Sequence, residues 1–292
     1  MNAIEIEKLS KTFKGKKGGR VDALKSLSLT VEAGEVFGFL GPNGAGKSTT
    51  IKTLMGLISP TSGTVRIMGV DARSHLSRTH VGYLPENPSF YDYLSAEEYL
   101  SFVGASVGMS ETVIVKESKR VLLLLELWDA RKRQIRSFSK GMVQRLGLAQ
   151  VLLRNPDVYI LDEPMSGLDP IGRALVKDII IDLKKEGKCV FFSTHITADV
   201  ETICDRVGII VQGDLLKVDD VQSILTEGIT GYAVRLKMKS GGASCNEVVV
   251  AADDLTRFLT EAQSKGDDII LVEPRRKNLE EFFLAMVRGK GC

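Results

Sequence analysis

The sequence predicts an α/β fold on a buried, mostly parallel sheet, followed by a small α+β appendage. Three observations carry this. Short continuous apolar runs at 36–40, 158–161, 190–193 and 207–211 alternate with helix-compatible stretches, the pattern of strands covered on both faces. The first run leads into Gly41-Pro42-Asn43-Gly44-Ala45-Gly46-Lys47-Ser48-Thr49, a glycine-rich loop that opens a helix. The second ends in Asp162-Glu163, placing two carboxylates at the carboxyl edge of the sheet, where open α/β folds bind ligands.

Element by element, Ile4, Ile6 and Leu9 start an alternating edge strand, and Leu27, Leu29 and Val31 alternate as a half-buried one. A helix is predicted over 47–57, stopped by the turn residues of 59–63. From about 85 to 135 the chain turns helical. Ser95 caps a helix with Glu98 three residues on, and a leucine-rich helix covers roughly 114–128. Beyond Gly213-Asp214 come a return strand at 215–218, a short helix at 221–225 and a linker at 228–231. Strands then fall at 232–238, 247–251 and 269–272, with helices at 255–264 and 279–287. The predicted division is a nucleotide-binding domain over 1–226, with a helical subdomain at about 86–155, and an α+β appendage over 230–292.

Composition sets limits. The 292 residues are 26% charged and 43% hydrophobic, as in ordinary globular proteins, and the net charge of +2 gives no ground for a nucleic-acid surface. Cys189, Cys204, Cys245 and Cys292 stand far apart with no Cys-x-x-Cys pair, which fits reduced thiols in a cytosolic protein. The N-terminus has no signal-peptide pattern, and no run reaches the ~18 apolar residues that span a bilayer. The basic cluster Lys14, Lys16, Lys17 and Arg20, among Gly15, Gly18 and Gly19, reads as a solvated hairpin tip.

The chemistry concentrates in four places. The loop glycines let backbone N–H groups converge on a phosphate, and the helix N-terminus adds partial positive charge. Lys47 is expected to reach the β- and γ-phosphates of a nucleotide, and Ser48 to give an oxygen to Mg²⁺. Asp162 is the natural partner of Ser48 at that metal, and Glu163 polarises the attacking water. Ser139 and Gly141, in Phe138-Ser139-Lys140-Gly141-Met142 at the start of another helix, form a second phosphate-gripping surface.

Together these motifs resemble the nucleotide-binding subunits of ATP-binding cassette (ABC) transporters over about residues 1–220. The resemblance implies the full fold class: a P-loop NTPase cassette with a mostly parallel sheet, an antiparallel N-terminal sheet and a helical subdomain. Phe138–Met142 stands at the place of the family's Leu-Ser-Gly-Gly-Gln signature; Lys140 and Met142 depart from it. In that family the signature faces the ATP held by the other subunit, so a head-to-tail homodimer or heterodimer is implied. Ser166-Gly167-Leu168-Asp169 resembles the loop that crosses the dimer interface. His195 matches the histidine at the γ-phosphate, and Phe13 the aromatic stacked on adenine. Glu86, in Val81-Gly82-Tyr83-Leu84-Pro85-Glu86, stands where glutamine usually meets Mg²⁺ and the transmembrane partner. His75 and His80 match nothing and read as surface residues. Glu86, the Ser-Lys-Gly-Met run and the tail Asn278-Leu279-Glu280-Glu281-Phe282-Phe283 resemble the branch serving type-2 exporters. The tail also fits a helix packing Leu279, Phe282 and Phe283 on one face. The implied protein is an ATPase at the cytoplasmic face of the membrane, driving a separate transmembrane permease. Two rival readings stay open: a soluble cassette acting on ribosomes or DNA, and an importer ATPase. A plain nucleotide kinase has no use for the signature or the Asp169 loop.

Overall fold

The computed structural model describes residues 1–14, 19–227, 229–237, 245–276 and 279–289. Gly15, Lys16, Lys17 and Gly18 of the basic cluster, Gly228 of the expected linker, Met238, Asn278 of the tail motif and Cys292 lie outside the described residues. The chain divides into two units, Met1–Val218 and Asp219–Cys292, so the division falls ahead of the expected edge at 226.

In the first unit the strands β1 (Asn2–Lys14), β2 (Arg20–Glu32) and β3 (Val36–Leu40) precede helix α1 (Lys47–Leu54). Then come β4 (Ser62–Ile67), β5 (Val70–Asp71) and β6 (Val81–Leu84), followed by helices α2 (Ala96–Ser106), α3 (Glu111–Leu124) and α4 (Lys140–Leu152). The remainder alternates: β7 (Val158–Asp162), α5 (Pro170–Lys185), β8 (Cys189–Thr194), α6 (Thr197–Ile203), β9 (Arg206–Val211) and β10 (Asp214–Asp220).

Among the described residues this unit holds two sheets. The six-stranded one runs β10-β9-β3-β8-β7-β6, with β3 parallel to both β8 and β9. β6, β7 and β8 are parallel in turn. The four-stranded sheet runs β2-β1-β4-β5 and is antiparallel. β1 is therefore an interior strand of that sheet and not the edge that its alternation suggested. Its pairing slips near Lys8, which takes a left-handed φ of 47°. The alternation marks a strand with one buried face and gives no sign of the neighbour β4, because Ser62 and Gly63 read as the end of a turn.

One core fills the space between the two sheets. Alternate residues of β3 (Phe37, Phe39), β7 (Val158, Ile160) and β8 (Cys189, Phe191) meet Ile4, Ile6, Leu27, Leu29 and Val31, with Ile51 and Leu54 of α1. The Phe37 and Phe191 rings stack 5.8 Å apart. The intervening residues, Tyr159, Leu161, Val190 and Phe192, are buried too. Both faces of these strands are covered, which is why they read as unbroken apolar runs. The Cys189 thiol is pushed up to about 12 by burial, and burial likewise lifts Cys204 well above the usual thiol range. Both are free.

The helical subdomain begins with a capping box. Ser95 Oγ accepts the Glu98 N–H at 3.3 Å, and the Glu98 carboxylate accepts the Ser95 N–H at 2.8 Å. That backbone bond, then the Ser95 hydroxyl, holds the Glu98 carboxyl below its usual range. Ser95→Ala is expected to remove about 1 kcal/mol of stability, read in a thermal melt as a fall of about 2–4 °C. The leucine-rich helix α3 starts earlier and ends earlier than 114–128. Glu126 turns left-handed (φ 54°), and a separate 3-10 turn carries Trp128–Ala130.

The second unit holds α7 (Val221–Glu227), β11 (Ile229–Lys237), β12 (Cys245–Val250), α8 (Leu255–Ser264), β13 (Asp268–Arg276) and α9 (Leu279–Gly289). Its sheet runs β12-β11-β13, antiparallel throughout. Val234, Leu236, Val250 and Ala262 form a small core with Phe258 and Leu259 of α8 packed on it. The linker expected at 228–231 is corrected: β11 already begins at Ile229. Gly231 is there because a Cβ would lie 2.5 Å from the Val250 carbonyl, so it marks close backbone approach and not a joint. In α9 Leu279 is buried and Phe282 and Phe283 are half-buried.

Candidate active site

The loop after β3 is fixed before any ligand is considered. The Gly41 N–H donates to Thr194 O at 3.2 Å, and the Gly213 N–H donates to Ala45 O at 2.8 Å. Two of its glycines are sterically required. A Cβ on Gly41 would lie 2.4 Å from Ile210 O; on Gly46, at φ 114°, it would lie 2.7 Å from Ala23 O. α1 starts at Lys47 with no acidic residue in its first turn, so its positive end is not neutralised locally. A cleft of about 310 Å³ opens over it. Pro42, Asn43, Gly44, Gly46, Lys47, Ser48 and Thr49 line it together with Ala23, Glu86 and Glu163. Gly41 and Ala45 are buried behind this surface.

Lys47 is the electrostatic centre of the cleft. Its side chain is 6% exposed, and its Nζ donates to Gly41 O at 2.7 Å and meets Glu163 Oε1 at 3.3 Å. Glu163 in turn faces His195, whose Nδ1 stands 3.0 and 3.1 Å from the two carboxylate oxygens. Of the three predicted catalytic residues, Lys47 and His195 thus both contact the third, Glu163. Backbone geometry makes this possible: Glu163 adopts a left-handed φ of 49°, a conformation costing about 1–3 kcal/mol for a non-glycine residue. Its N–H is shared between Ser193 O (3.2 Å) and Ser193 Oγ (3.1 Å). The Gln144 amide donates to Glu163 O at 3.4 Å and Pro164 O at 3.3 Å. The turn directs the Glu163 carboxylate toward Lys47, while Asp162, the residue before it, accepts Ser193 Oγ at 2.5 Å. Neighbours in sequence, the two acids have separate partners.

Gln144, Ser193 and Ala23 were not singled out from the sequence. Gln144 carried a usable signal, a polar side chain on the otherwise apolar face of α4, where Leu146, Leu148 and Val151 are buried. Ser193 closes an apolar strand and looks like a strand end; only the sheet register, which sets it opposite Asp162, gives it a task.

The remaining predicted residues do not line the cleft. Ser139 caps α4, its Oγ accepting the Met142 N–H at 3.2 Å, which leaves the hydroxyl proton free to donate. Gly141 lies beside Leu168. The Lys140 stem packs on Gly167, where a Cβ would fall 2.7 Å from Lys140 Cε. Asp169 is the N-cap of α5, its Oδ1 accepting the Gly172 N–H at 2.7 Å. That task, followed by Pro170 in the first helical turn, is a helix start the sequence reading did not assign. Phe13, near the end of β1, is 38% exposed, with Lys11 Nζ 5.0 Å from its ring centroid. His75 is exposed, while His80 pairs through Nδ1 with Asp157 at 2.9 Å.

Among the described residues no three His, Cys, Asp or Glu side chains converge as a metal cage. A Mg²⁺ ion needs none: it keeps several waters and binds one or two carboxylates plus substrate phosphates. Ser48 and Asp162 fit that donor set.

A glycine loop at a helix start, a lysine within it and a carboxylate–histidine pair at the next strand ends define a P-loop nucleotide hydrolase. The family model for the ABC transporter matches residues 24–166. An uncharacterized ABC transporter ATP-binding protein of Synechocystis sp. is 38% identical, covering 99% of this chain and 86% of its own length. The linearmycin resistance ATP-binding protein LnrL of Bacillus subtilis is 28% identical over 96% of this chain and 97% of its own. The bacitracin transport ATP-binding protein BcrA of Bacillus licheniformis is 40% identical over 68% of this chain and 65% of its own. A solved ATP-binding subunit of an ABC transporter superposes with a TM-score of 0.70 at 31% identity, covering 76% of this chain and 91% of that one. The chain belongs to the ABC transporter family as an ATP-binding, ATP-hydrolysing subunit. Among the described residues no helix is long and apolar enough to cross a membrane.

Proposed function

We propose that this chain powers an ABC exporter from the cytoplasmic face of the membrane, hydrolysing Mg²⁺-ATP in a head-to-tail pair of cassettes. One observation carries the pairing. The cleft over Lys47 is walled by one phosphate-gripping surface, while the second, at Ser139 and Gly141, is absent from its walls. A chain with two such surfaces, of which its own nucleotide meets one, completes its site with a second cassette. The Ser139 hydroxyl and the first-turn N–H groups of α4 then grip the nucleotide of the partner.

Within the chain's own cleft, Lys47 exchanges Glu163 for phosphate oxygens when nucleotide enters. Glu163, still oriented by His195, becomes the acceptor for a proton of the attacking water. Ser48 and Asp162 would hold a Mg²⁺ ion, which would supply charge neutralisation at the phosphates, and Glu86, exposed on the cleft wall, would offer it or its waters a further oxygen. Phe13 offers its open face to adenine.

Exposed aromatics just beyond Glu86 support a membrane partner. Tyr91, Tyr93 and Phe102 are each more than half exposed, and the Tyr91 ring lies 6.1 Å from Tyr93 and 5.6 Å from Phe102. Three clustered surface aromatics mark an interaction face. Export is the direction favoured by Glu86, by Lys140 with Met142, and by likeness to proteins named for bacitracin transport and linearmycin resistance.

The test is purification of a tagged chain from detergent-solubilised membranes. A polytopic companion should co-purify, and the Tyr91→Ala/Phe102→Ala pair should reduce its recovery at least about tenfold. Sedimentation with ribosomes or DNA and no membrane companion would favour the rival reading; uptake in reconstituted vesicles would make it an importer.

A further inference from the structure

Asp199 is a carboxylate only 2% exposed that the hydrolytic scheme leaves unused. It lies in the first turn of α6, four residues after His195. Its Oδ2 accepts Arg173 Nη2 at 2.8 Å, and its Oδ1 meets Lys177 Nζ at 3.0 Å. Both cations stand on α5, one helical turn apart on the same face. Arg173 belongs to the turn that Asp169 begins, its N–H donating to Asp169 O at 2.9 Å. A single acid therefore fastens the start of α6 to the start of α5.

What lies at those two starts gives the fastening its meaning. α6 follows His195 directly, and its N-cap position, Ile196, offers no side-chain cap. α5 follows the 166–169 loop. Asp199 also walls a cavity of about 20 Å³ that it shares with Glu163, Ser166 and His195. A buried ion pair is weak evidence for stability, since apolar residues of similar volume often do as well. Location is the informative part of this one.

We infer that Asp199 is a positioning residue, which through Arg173 and Lys177 registers His195 on Glu163 and ties that contact to the 166–169 loop. The inference rests on the hydrolytic reading of Glu163 and His195 given above. Its consequence is that a shift of the loop at a cassette interface reaches His195 through one charged clamp. The route is short: loop, α5, Asp199, α6, His195.

Asp199→Asn keeps the shape and removes the charge. In the full chain, kcat for ATP hydrolysis should fall about tenfold, as for a small misplacement of a catalytic group. KM for ATP should move by less than about twofold, because no nucleotide-binding residue is touched. The His195 imidazole signals should shift in NMR spectra of histidine-labelled protein; with three histidines in the chain, His195→Ala assigns them. Asp199→Glu, which keeps the charge, should recover part of kcat. Lys177→Gln removes one cation without stranding the acid, and it carries the test should Asp199→Asn not fold; it too should lower kcat and shift the His195 signals. Folded variants with parental kcat and parental His195 signals, whatever their melting temperature, overturn the inference. A parent without ATPase activity, in which Asp199→Asn still shifts His195, counts against the hydrolytic reading and not against the clamp.

Discussion

Glu163→Gln is expected to lower ATP hydrolysis by about two to four orders of magnitude, the usual worth of a positioned general base, while leaving ATP bound. Glutamine keeps the length of the side chain and its acceptor oxygen. His195 Nδ1, 3.0 Å away, and Lys47, 3.3 Å away, therefore retain a neighbour. What is lost is the capacity to take a proton. With turnover blocked, ATP should hold two chains together, and size exclusion with ATP should show a dimer that ADP does not support. An ATP-loaded variant that still elutes as a monomer would refute the two-cassette scheme. An undiminished rate would remove Glu163 from the chemistry.

Lys47→Ala should have the opposite signature: loss at the binding step. The ammonium lies at the base of the cleft, held by the Gly41 carbonyl at 2.7 Å, and among the described residues its charged partner is Glu163. Removing a charge-assisted contact to phosphate is worth about 1.5–3 kcal/mol, which is roughly a 10- to 150-fold rise in the dissociation constant for ATP. Titration calorimetry reads this directly. The nucleotide-free protein should also melt earlier, because Glu163, 10% exposed, loses its cation. Unchanged ATP affinity would mean that the phosphates do not sit over this loop. The two substitutions separate binding from chemistry at residues that touch each other.

Why the site was so readable and the fold less so has a physical basis. The phosphate loop is a contiguous segment whose residue types follow from local geometry: backbone crowding at Gly41, left-handed φ at Gly46, a lysine at the helix start. Asp162, Glu163 and His195 end unbroken apolar strands, so their place at the sheet edge follows from alternation alone. The Ser95–Glu98 capping box and the helix at 255–264 are equally local, and both are present in the fold. What escaped was set by distant chain. β1 reads as an edge until β4 is known to pair with it. Ser193 has no evident role until parallel pairing sets it against Asp162. Asp169 was read for an interface and is also the cap on which α5 starts, two uses of one carboxylate that spacing cannot distinguish.

The order of the six-stranded sheet also bears on when, in the making of the chain, nucleotide binding becomes possible. β3, which carries the phosphate loop, has only β8 and β9 beside it, and β9 ends at Val211. A ribosome adding roughly 5–20 residues per second needs about 10–35 s to go from Leu40 to Val211. Until Thr194 is made the loop has neither flanking strand, and until Val211 it lacks β9, with Ile210, whose carbonyl presses on Gly41. The loop therefore takes its ATP-gripping shape only when nearly the whole first unit has emerged.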